Sequence, residues 1–143
     1  RFDFKLKTDH SAVLSDYAHH PAEIAQSIRS VRELYKGRKI TVAFQPHLYT
    51  RTRDFYREFA ESLSLADEVI LTDIYPAREA PIPGISSLLI YNLLRPGIEK
   101  RLCRKDEVAE LVGLEDIEVL IILGAGDLDN YAADIAQKLA AKG

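Results

Sequence analysis

Two segments of the sequence are apolar along almost their whole length, and they restrict the fold more than any other pattern does. They are KITVAFQ, residues 39–45, and EVLIILGAG, residues 118–126. A strand with one face in water alternates apolar and polar residues, whereas a strand covered on both faces is apolar throughout. Both segments therefore predict strands in the middle of a parallel sheet with helices on either side.

Weaker patterns predict the rest of the sheet. AVLSDY, residues 12–17, and DEVILTDIY, residues 67–75, are short β-branched runs, and a further strand is indicated at residues 99–103. The opening segment, residues 1–8, alternates Phe2, Phe4 and Leu6 with polar residues. This alternation is typical of a half-exposed strand, and we expect it to form an antiparallel edge of the sheet.

Helical patterns lie between the predicted strands. The first begins at Pro21 and repeats apolar residues at spacings of three and four as far as Tyr35, before Gly37. Others are predicted from about Thr52, after Ser86, after Asp106 and around residues 131–139. Alternating strands and helices predict a Rossmann-like α/β fold, with an open, mostly parallel sheet and helices on both faces. We expect residues 1–143 to form one domain.

Composition excludes several classes of function. The net charge is −3 and the basic residues are scattered, so we expect no nucleic-acid partner. A single cysteine, Cys103, permits no internal disulfide and favours a cytoplasmic protein. No apolar run approaches the roughly 18 residues that a membrane span needs. The sequence begins at Arg1 and contains no methionine, which predicts an excised piece of a longer chain.

Polar and titratable residues follow four of the predicted strands, where each strand ends. They are Asp16, Tyr17, His19 and His20; Gln45, His47, Tyr49, Thr50 and Arg51; Asp73, Tyr75, Arg78 and Glu79; and GAGD, residues 124–127. In open parallel sheets, ligands bind outside the carboxyl ends of the strands. The sequence therefore predicts a binding site along this rim.

The segment SDYAHHPAEI, residues 15–24, allows several interpretations. His20 precedes a proline, which forces extended backbone and predicts a structural role at the start of the helix. Asp16 is either a strand-end turn residue or an acceptor for ribose hydroxyl groups. A zinc site formed by Asp16, His19 and His47 is conceivable from residue type, but the spacing disfavours it, so we predict no metal ligands.

The segment QPHLYTRTRDF, residues 45–55, places Arg51 and Arg53 before an amphipathic helix. Free N–H groups at a helix start favour anions, and a guanidinium group can grip a carboxylate or phosphate at two points. We predict anion binding for Arg51, which lies near His47 and Tyr49, and a solvated surface position for Arg53.

Two glycine- or proline-rich turns adjoin the same rim. GAGD lacks the full dinucleotide fingerprint, so its glycines indicate only close approach of a backbone or ligand, and a helix N-cap is an equal alternative for Asp127. The segment 75–84 predicts a stiff loop whose Arg78 and Glu79 suit a docking edge. No phosphate-binding loop of the form G-x-x-x-x-G-K-[ST] occurs, so any such loop for ATP must lie elsewhere.

Four motifs, taken together, resemble a known family. DYAHHP at 16–21, FQPHLYTRT at 44–52, DIYPAREAPIPG at 73–84 and GAGD at 124–127 resemble the C-terminal domain of the Mur ligases, in the branch that joins L-alanine to UDP-N-acetylmuramate. The resemblance implies a three-domain, ATP-dependent enzyme of peptidoglycan synthesis. It phosphorylates the lactyl carboxylate, and the amine of L-alanine then attacks the acyl phosphate.

The resemblance also implies which parts lie outside these residues. An N-terminal domain binds the UDP-sugar, and a central domain carries the phosphate-binding loop and the Mg²⁺ ligands. The present chain contacts both domains, supplies part of the ATP and amino-acid sites, and is expected to be inactive alone.

Residue roles carried over by position are specific. Asp16 matches an acid that holds the ATP ribose, and Tyr17 and His19 match residues lining the alanine pocket. Arg51, with His47 beside it, matches an arginine that binds the alanine carboxylate or stabilises phosphate charge. Neutral His19 is a candidate base for the alanine ammonium, or else only orients the substrate.

One position departs from the family motif. Many members carry arginine where this chain has Leu48, so either Arg51 suffices for anion binding or another group supplies the second contact. Two other classes compete with the ligase interpretation: a metal hydrolase that uses Asp16, His19 and His47, and a module that only binds a partner.

Overall fold

The structure, a computed structural model, describes residues 2–142, in which a six-stranded sheet is flanked by five α-helices. The strands are β1 (Asp3–Lys7), β2 (Ala12–Asp16), β3 (Ile40–Phe44), β4 (Glu68–Leu71), β5 (Glu99–Leu102) and β6 (Val119–Leu123). The helices are α1 (Pro21–Leu34), α2 (Tyr49–Leu63), α3 (Leu88–Tyr91), α4 (Val108–Leu114) and α5 (Ala132–Lys142). Short 3₁₀ turns lie at Lys105–Glu107 and Leu128–Tyr131.

The sheet has the predicted mixed character. Its strand order is β1-β2-β6-β3-β4-β5, and every neighbouring pair is parallel except β1 with β2. The antiparallel edge strand predicted from the alternating opening segment is thus confirmed. The weak strand predicted at residues 99–103 is also confirmed, because β5 pairs with β4 from Glu68↔Glu99 to Leu71↔Leu102.

Helices cover both faces of the sheet, as the two apolar segments predicted. In β6, Val119, Ile121 and Leu123 pack toward α1, α2 and α3, whereas Leu120 and Ile122 pack toward α4 and α5. All five β6 residues are buried. A strand that supplies alternate side chains to two separate cores has no polar face, which explains the apolar run in the sequence.

Three element boundaries differ from the predictions. Helix α3 has only 4 residues and continues in tighter turns, in which the N–H groups of Leu93 and Leu94 bond to the carbonyl oxygens three residues earlier. Helix α2 begins at Tyr49, three positions before the predicted Thr52. Strand β4 ends at Leu71, so the predicted strand to residue 75 is too long, although Tyr75 forms an isolated parallel bridge with His47.

No helix among residues 2–142 is both long enough and apolar enough to span a bilayer.

Candidate functional site

The carboxyl ends of four adjacent strands form one rim. Asp16 at the end of β2 pairs with Leu123 at the end of β6, which pairs with Phe44 at the end of β3, and Phe44 in turn pairs with Leu71 of β4. Since these strands are parallel and end in register, the segments that follow them leave the sheet side by side. The topology therefore brings together the polar residues that the sequence placed at strand ends.

A groove of about 640 Å³ opens on this rim between the end of β2 and helix α1. Asp16, Tyr17, His19 and Ser27 are among the residues that line it. The hydroxyl group of Ser27 donates to Asp16 Oδ2 at 2.5 Å, which fixes the orientation of the carboxylate. Tyr17 is 67% exposed, so its phenol ring stands open to a neighbouring group.

The start of α1 fixes His19 and His20 in different roles. His20 is the N-cap residue, with the extended backbone (φ −105°, ψ 150°) predicted for a residue before proline. Glu23 Oε1 accepts the backbone N–H groups of His19 at 3.2 Å and His20 at 3.1 Å. These bonds lower the pKa of Glu23 from its usual value, and the bond from His19 has the larger effect. The structural role of His20 is confirmed.

The hydrogen bond of the His19 ring determines its tautomer. His19 Nδ1 lies 3.0 Å from the carbonyl oxygen of Tyr17. A carbonyl oxygen only accepts, so Nδ1 must carry the proton, and the lone pair of the neutral ring is then on Nε2. His19 thus has one nitrogen held by the backbone and one available as an acceptor or base.

His47 and Arg51 form the next part of the rim. Arg51 Nη1 lies 3.3 Å from His47 Nδ1, so the guanidinium donates and His47 Nδ1 accepts. The pKa of His47 is lowered, mainly by burial and to a smaller extent by the charges of Arg51 and His19. The ring is therefore neutral near pH 7, with its proton on Nε2. His47 stacks on Tyr75 at 5.7 Å between ring centroids, and lies 6.3 Å from the ring of His19.

The start of α2 corrects one step of the sequence argument. The N–H groups expected to be free for an anion are taken by the carboxylate of Glu79, which accepts from Tyr49 at 2.6 Å and from Thr50 at 3.1 Å. Thr50 also donates its hydroxyl group to the same carboxylate. Arg51 lies inside the first turn of the helix rather than before it. Glu79 therefore already supplies a negative charge at this helix start, and two of the helix N–H groups are taken.

Arg53 occupies the predicted surface position. It is exposed and its Nε lies 2.9 Å from Asp54 Oδ1. This exposed neighbouring pair stabilises little in water.

The glycines of GAGD are required by groups of this chain. A Cβ added to Gly124, whose φ is 137°, would lie 2.8 Å from the Gln45 carbonyl oxygen. At Gly126 it would lie 2.3 Å from Gln45 Oε1 and 2.8 Å from Tyr75 Cβ. The close approach predicted from the sequence is thus that of Gln45 and Tyr75.

A second polar network lies beside this turn. Two of its members, Gln45 and Asp127, were placed on the rim from the sequence, but Lys105 was not, because it lies 22 positions before Asp127. Asp127 accepts from Gln45 Nε2 at 2.8 Å and from the ammonium group of Lys105. Burial would raise the pKa of Asp127, but the bonds to Lys105 and Gln45 outweigh it and the pKa lies below its usual value. Asp127 is the residue before a 3₁₀ turn, so part of its predicted capping position is confirmed.

The three residues of the zinc alternative do not converge. Among residues 2–142, the only group of three or more potential ligands with donor atoms within 4.8 Å of one another is Glu68, Glu99 and Glu115. That group lies at the opposite, amino end of β4 and β5. Lys39 lies 3.3 Å from Glu68 and 3.2 Å from Glu99, so a cation of the protein already balances these carboxylates.

The fold defines a Rossmann-like domain of the α/β class, with the candidate site at the carboxyl ends of its strands. Comparison with known proteins identifies its family: the model of the Mur ligase glutamate ligase domain matches residues 1–126, and the chain belongs to this family.

Individual relatives agree with the family. The chain is 67% identical over 135 residues to a UDP-N-acetylmuramate–L-alanine ligase of Phocaeicola vulgatus, covering 94% of the chain and 30% of the relative. It is 55% identical over 139 residues to the ligase of the same name from Parabacteroides distasonis, covering 97% and 30%. The crystal structure of a UDP-N-acetylmuramate–alanine ligase from Thermotoga maritima has a TM-score of 0.69 and 27% identity, covering 92% of this chain and 27% of that one. The chain therefore spans about 30% of the length of the curated relatives it matches.

Proposed function

We propose that this chain is the C-terminal domain of an ATP-dependent ligase that joins L-alanine to UDP-N-acetylmuramate through an acyl phosphate, in peptidoglycan synthesis. The observation that carries the proposal is the rim on which His19, His47 and Arg51 meet beside the groove of Asp16. Family membership and the names of the two bacterial relatives support the reaction. Residues 1–143 then act as one domain, and we propose a cytoplasmic location for the enzyme.

Asp16 is proposed to bind the ribose of ATP. Its carboxylate is oriented by Ser27 and lines a groove whose volume, about 640 Å³, lies within the usual range for small-molecule sites. Vicinal hydroxyl groups are donors that a carboxylate at a strand end can accept. The phosphates and Mg²⁺ would be held by the central domain, since this chain has no Walker-type loop.

His47 and Arg51 are proposed to bind the carboxylate of L-alanine. Arg51 supplies a permanent positive charge, and the neutral ring of His47 presents Nε2–H as a second donor. A second donor is needed because Leu48 stands where many relatives of the motif carry arginine. Exposed Tyr17 would form a wall of the alanine pocket.

His19 is proposed to remove a proton from the alanine ammonium. The amine must be neutral before it attacks the acyl phosphate, and the free Nε2 lone pair of His19 lies on the same rim as Arg51 and His47. A ring that only orients the substrate would use the same position. The two roles differ in their effect on turnover.

The test uses the full-length enzyme and measures ADP release as a function of UDP-N-acetylmuramate and L-alanine. His19→Asn should lower kcat at saturating alanine by roughly 10²–10⁴-fold if His19 is the base. Arg51→Lys should raise the alanine KM by roughly tenfold, because the two-point contact is lost. Arg53→Lys, on the same helix but exposed, is the matched control.

Distinct results would contradict each part. Unchanged turnover of His19→Asn leaves only an orienting role. ADP release that does not depend on L-alanine would refute the reaction itself, and stoichiometric tightly bound zinc would favour the hydrolase. The 143-residue chain alone should release no ADP.

A further inference from the structure

The loop of residues 73–84 and the segment before α2 are fastened to each other by several independent contacts. The backbone N–H of Leu48 donates to the Tyr75 carbonyl oxygen at 2.9 Å, and that of Tyr75 donates to Pro46 at 2.8 Å. The ring of Tyr75 stacks on His47 with an interplanar angle of 14°. These contacts place the loop directly behind the histidine of the rim.

Glu79 adds a further connection between the loop and the start of α2. Its carboxylate receives two backbone N–H groups and one hydroxyl group from Tyr49 and Thr50, all in the first turn of α2. The hydroxyl bond from Thr50 is the largest of the effects that hold the pKa of Glu79 below its usual value. The carboxylate is therefore ionised at neutral pH, as the positive end of the helix dipole favours.

Backbone strain is concentrated in the same two segments. Among residues 2–142, the non-glycine residues with positive φ are Leu48, at 74°, and Ala77, at 53°. Such conformations are strained and persist only where surrounding contacts impose them. Leu48 directly precedes α2, and Ala77 lies two residues before Glu79. The bonds of Glu79 to Tyr49 and Thr50 join the two segments beyond both strained positions, in addition to the bond between Leu48 and Tyr75.

We propose that Glu79 is a positioning residue for the amino-acid side of the site: by fixing the first turn of α2 against the loop, it holds Arg51 and His47 in the geometry that binds the alanine carboxylate. This inference rests on the proposed function for its substrate. Glu79 itself touches no reacting atom; it acts through the helix start and through Tyr75.

The alternative is that Glu79 only stabilises the fold. A structural role would lower the folded fraction, and hence kcat, while the remaining folded molecules kept their affinity for alanine. A positioning role instead raises the alanine KM, because a shift of about 1 Å in Arg51 or His47 weakens a two-point contact strongly. The KM for ATP should not change, because Asp16 follows β2, which β6 and β3 separate from β4, and its carboxylate is oriented by Ser27.

Three variants separate these outcomes. Glu79→Ala removes both the acceptor atoms and the charge, and should raise the alanine KM by about tenfold or more in the full-length enzyme. Glu79→Gln keeps an acceptor for the backbone N–H groups and should give an intermediate rise. Glu58→Gln removes an equal charge from an exposed position of the same helix and should leave the alanine KM unchanged.

A second measurement does not depend on catalysis. In the 143-residue chain, the pKa of His47 is lowered by burial, Arg51 and His19 and is raised by Glu79. An NMR titration of Glu79→Gln should therefore show a further fall in the pKa of His47, and Glu58→Gln should show none. Glu79→Ala should also shift the amide resonances of Tyr49, Thr50 and Arg51.

Different results would contradict the positioning role and the proposed function. An alanine KM of Glu79→Ala within twofold of wild type would overturn the positioning role, as would unchanged amide resonances of Tyr49, Thr50 and Arg51 in the same variant. If wild-type full-length enzyme shows no alanine-dependent ADP release, the proposed function fails and the positioning role in this reaction fails with it. The amide resonances then still decide whether Glu79 holds the start of α2.

Discussion

Replacing Gly126 by alanine should destabilise the protein, because two neighbouring residues occupy the space of the added methyl group. The added Cβ would lie 2.3 Å from Gln45 Oε1 and 2.8 Å from both Cβ and Cγ of Tyr75. Carbon atoms in contact prefer about 3.5–4.0 Å, so both neighbours would have to move. Tyr75 Cβ is joined directly to the backbone, and that backbone is hydrogen-bonded to Pro46 and Leu48.

The expected magnitude has two parts. Overpacking a closely packed site costs about 1–3 kcal/mol. Gln45 must also shift its amide, which donates to Asp127 at 2.8 Å and accepts from the Leu128 N–H at 2.9 Å. Losing one or two such bonds costs about 0.5–1.5 kcal/mol each. We expect the free energy of unfolding to fall by roughly 3 kcal/mol, and the melting temperature by roughly 10 °C.

The assay is thermal and urea unfolding of the 143-residue chain, followed by circular dichroism. Gly113→Ala is the matched control, because nothing lies within 4 Å of its added Cβ and it lies inside helix α4. Alanine there should raise stability by about 0.5–1 kcal/mol. If the free energy of unfolding of Gly126→Ala lies within about 0.5 kcal/mol of the wild-type value, the steric explanation for a glycine at position 126 is refuted.

Three further outcomes are expected. Phe44→Ala should lower the free energy of unfolding by about 3–5 kcal/mol in urea, because the ring is fully buried, while Leu34→Ala, at a position 58% exposed, should change it little. Burial raises the pKa of fully buried Glu68, so its contribution to stability is present below pH 4.5 and is lost as the pH rises through the folded value. The stability of Glu68→Gln relative to wild type, measured by urea unfolding, should therefore increase from pH 4 to pH 7, and a constant difference would contradict this. Burial also raises the pKa of Cys103 to about 11, so labelling by iodoacetamide at pH 8 should be slow until the protein is unfolded in urea.

Elements whose signals are local in the sequence could be predicted well. Helix α1 begins at Pro21, with its N-cap at His20 and its capping carboxylate at Glu23, all within four residues. The central strands were predicted from their apolar, β-branched runs, because a strand that is buried on both faces has such a sequence.

Helix α2 could not be placed correctly from local signals. Its N-cap is Leu48, which has no side chain able to accept a hydrogen bond, and the capping group is Glu79, 30 positions away from Tyr49. The same distance explains why the sequence suggested free N–H groups for an anion. A tertiary contact had already satisfied them, and no spacing within the segment indicates such a partner.

The candidate site also has one side that local sequence signals predict and one side that depends on distant contacts. Asp16, Tyr17 and His19 lie within four positions of one another, and the contacts that orient Asp16 and His19 come from Ser27, Glu23 and the adjoining backbone. This side was recognisable from one short segment. The role proposed for each side chain there remains a prediction, since geometry alone does not distinguish a base from an orienting ring.

The other side of the rim depends on two segments that meet only in the folded protein. Arg51 and His47 follow β3, but their positions are set by Tyr75 and Glu79, which follow β4. Loosening the loop of residues 73–84 should therefore weaken the carboxylate-binding side while leaving the groove of Asp16 intact. In a ligase that must bring an amino acid and a nucleotide together, such a division would let alanine selectivity change through the loop alone, without altering the ribose contact.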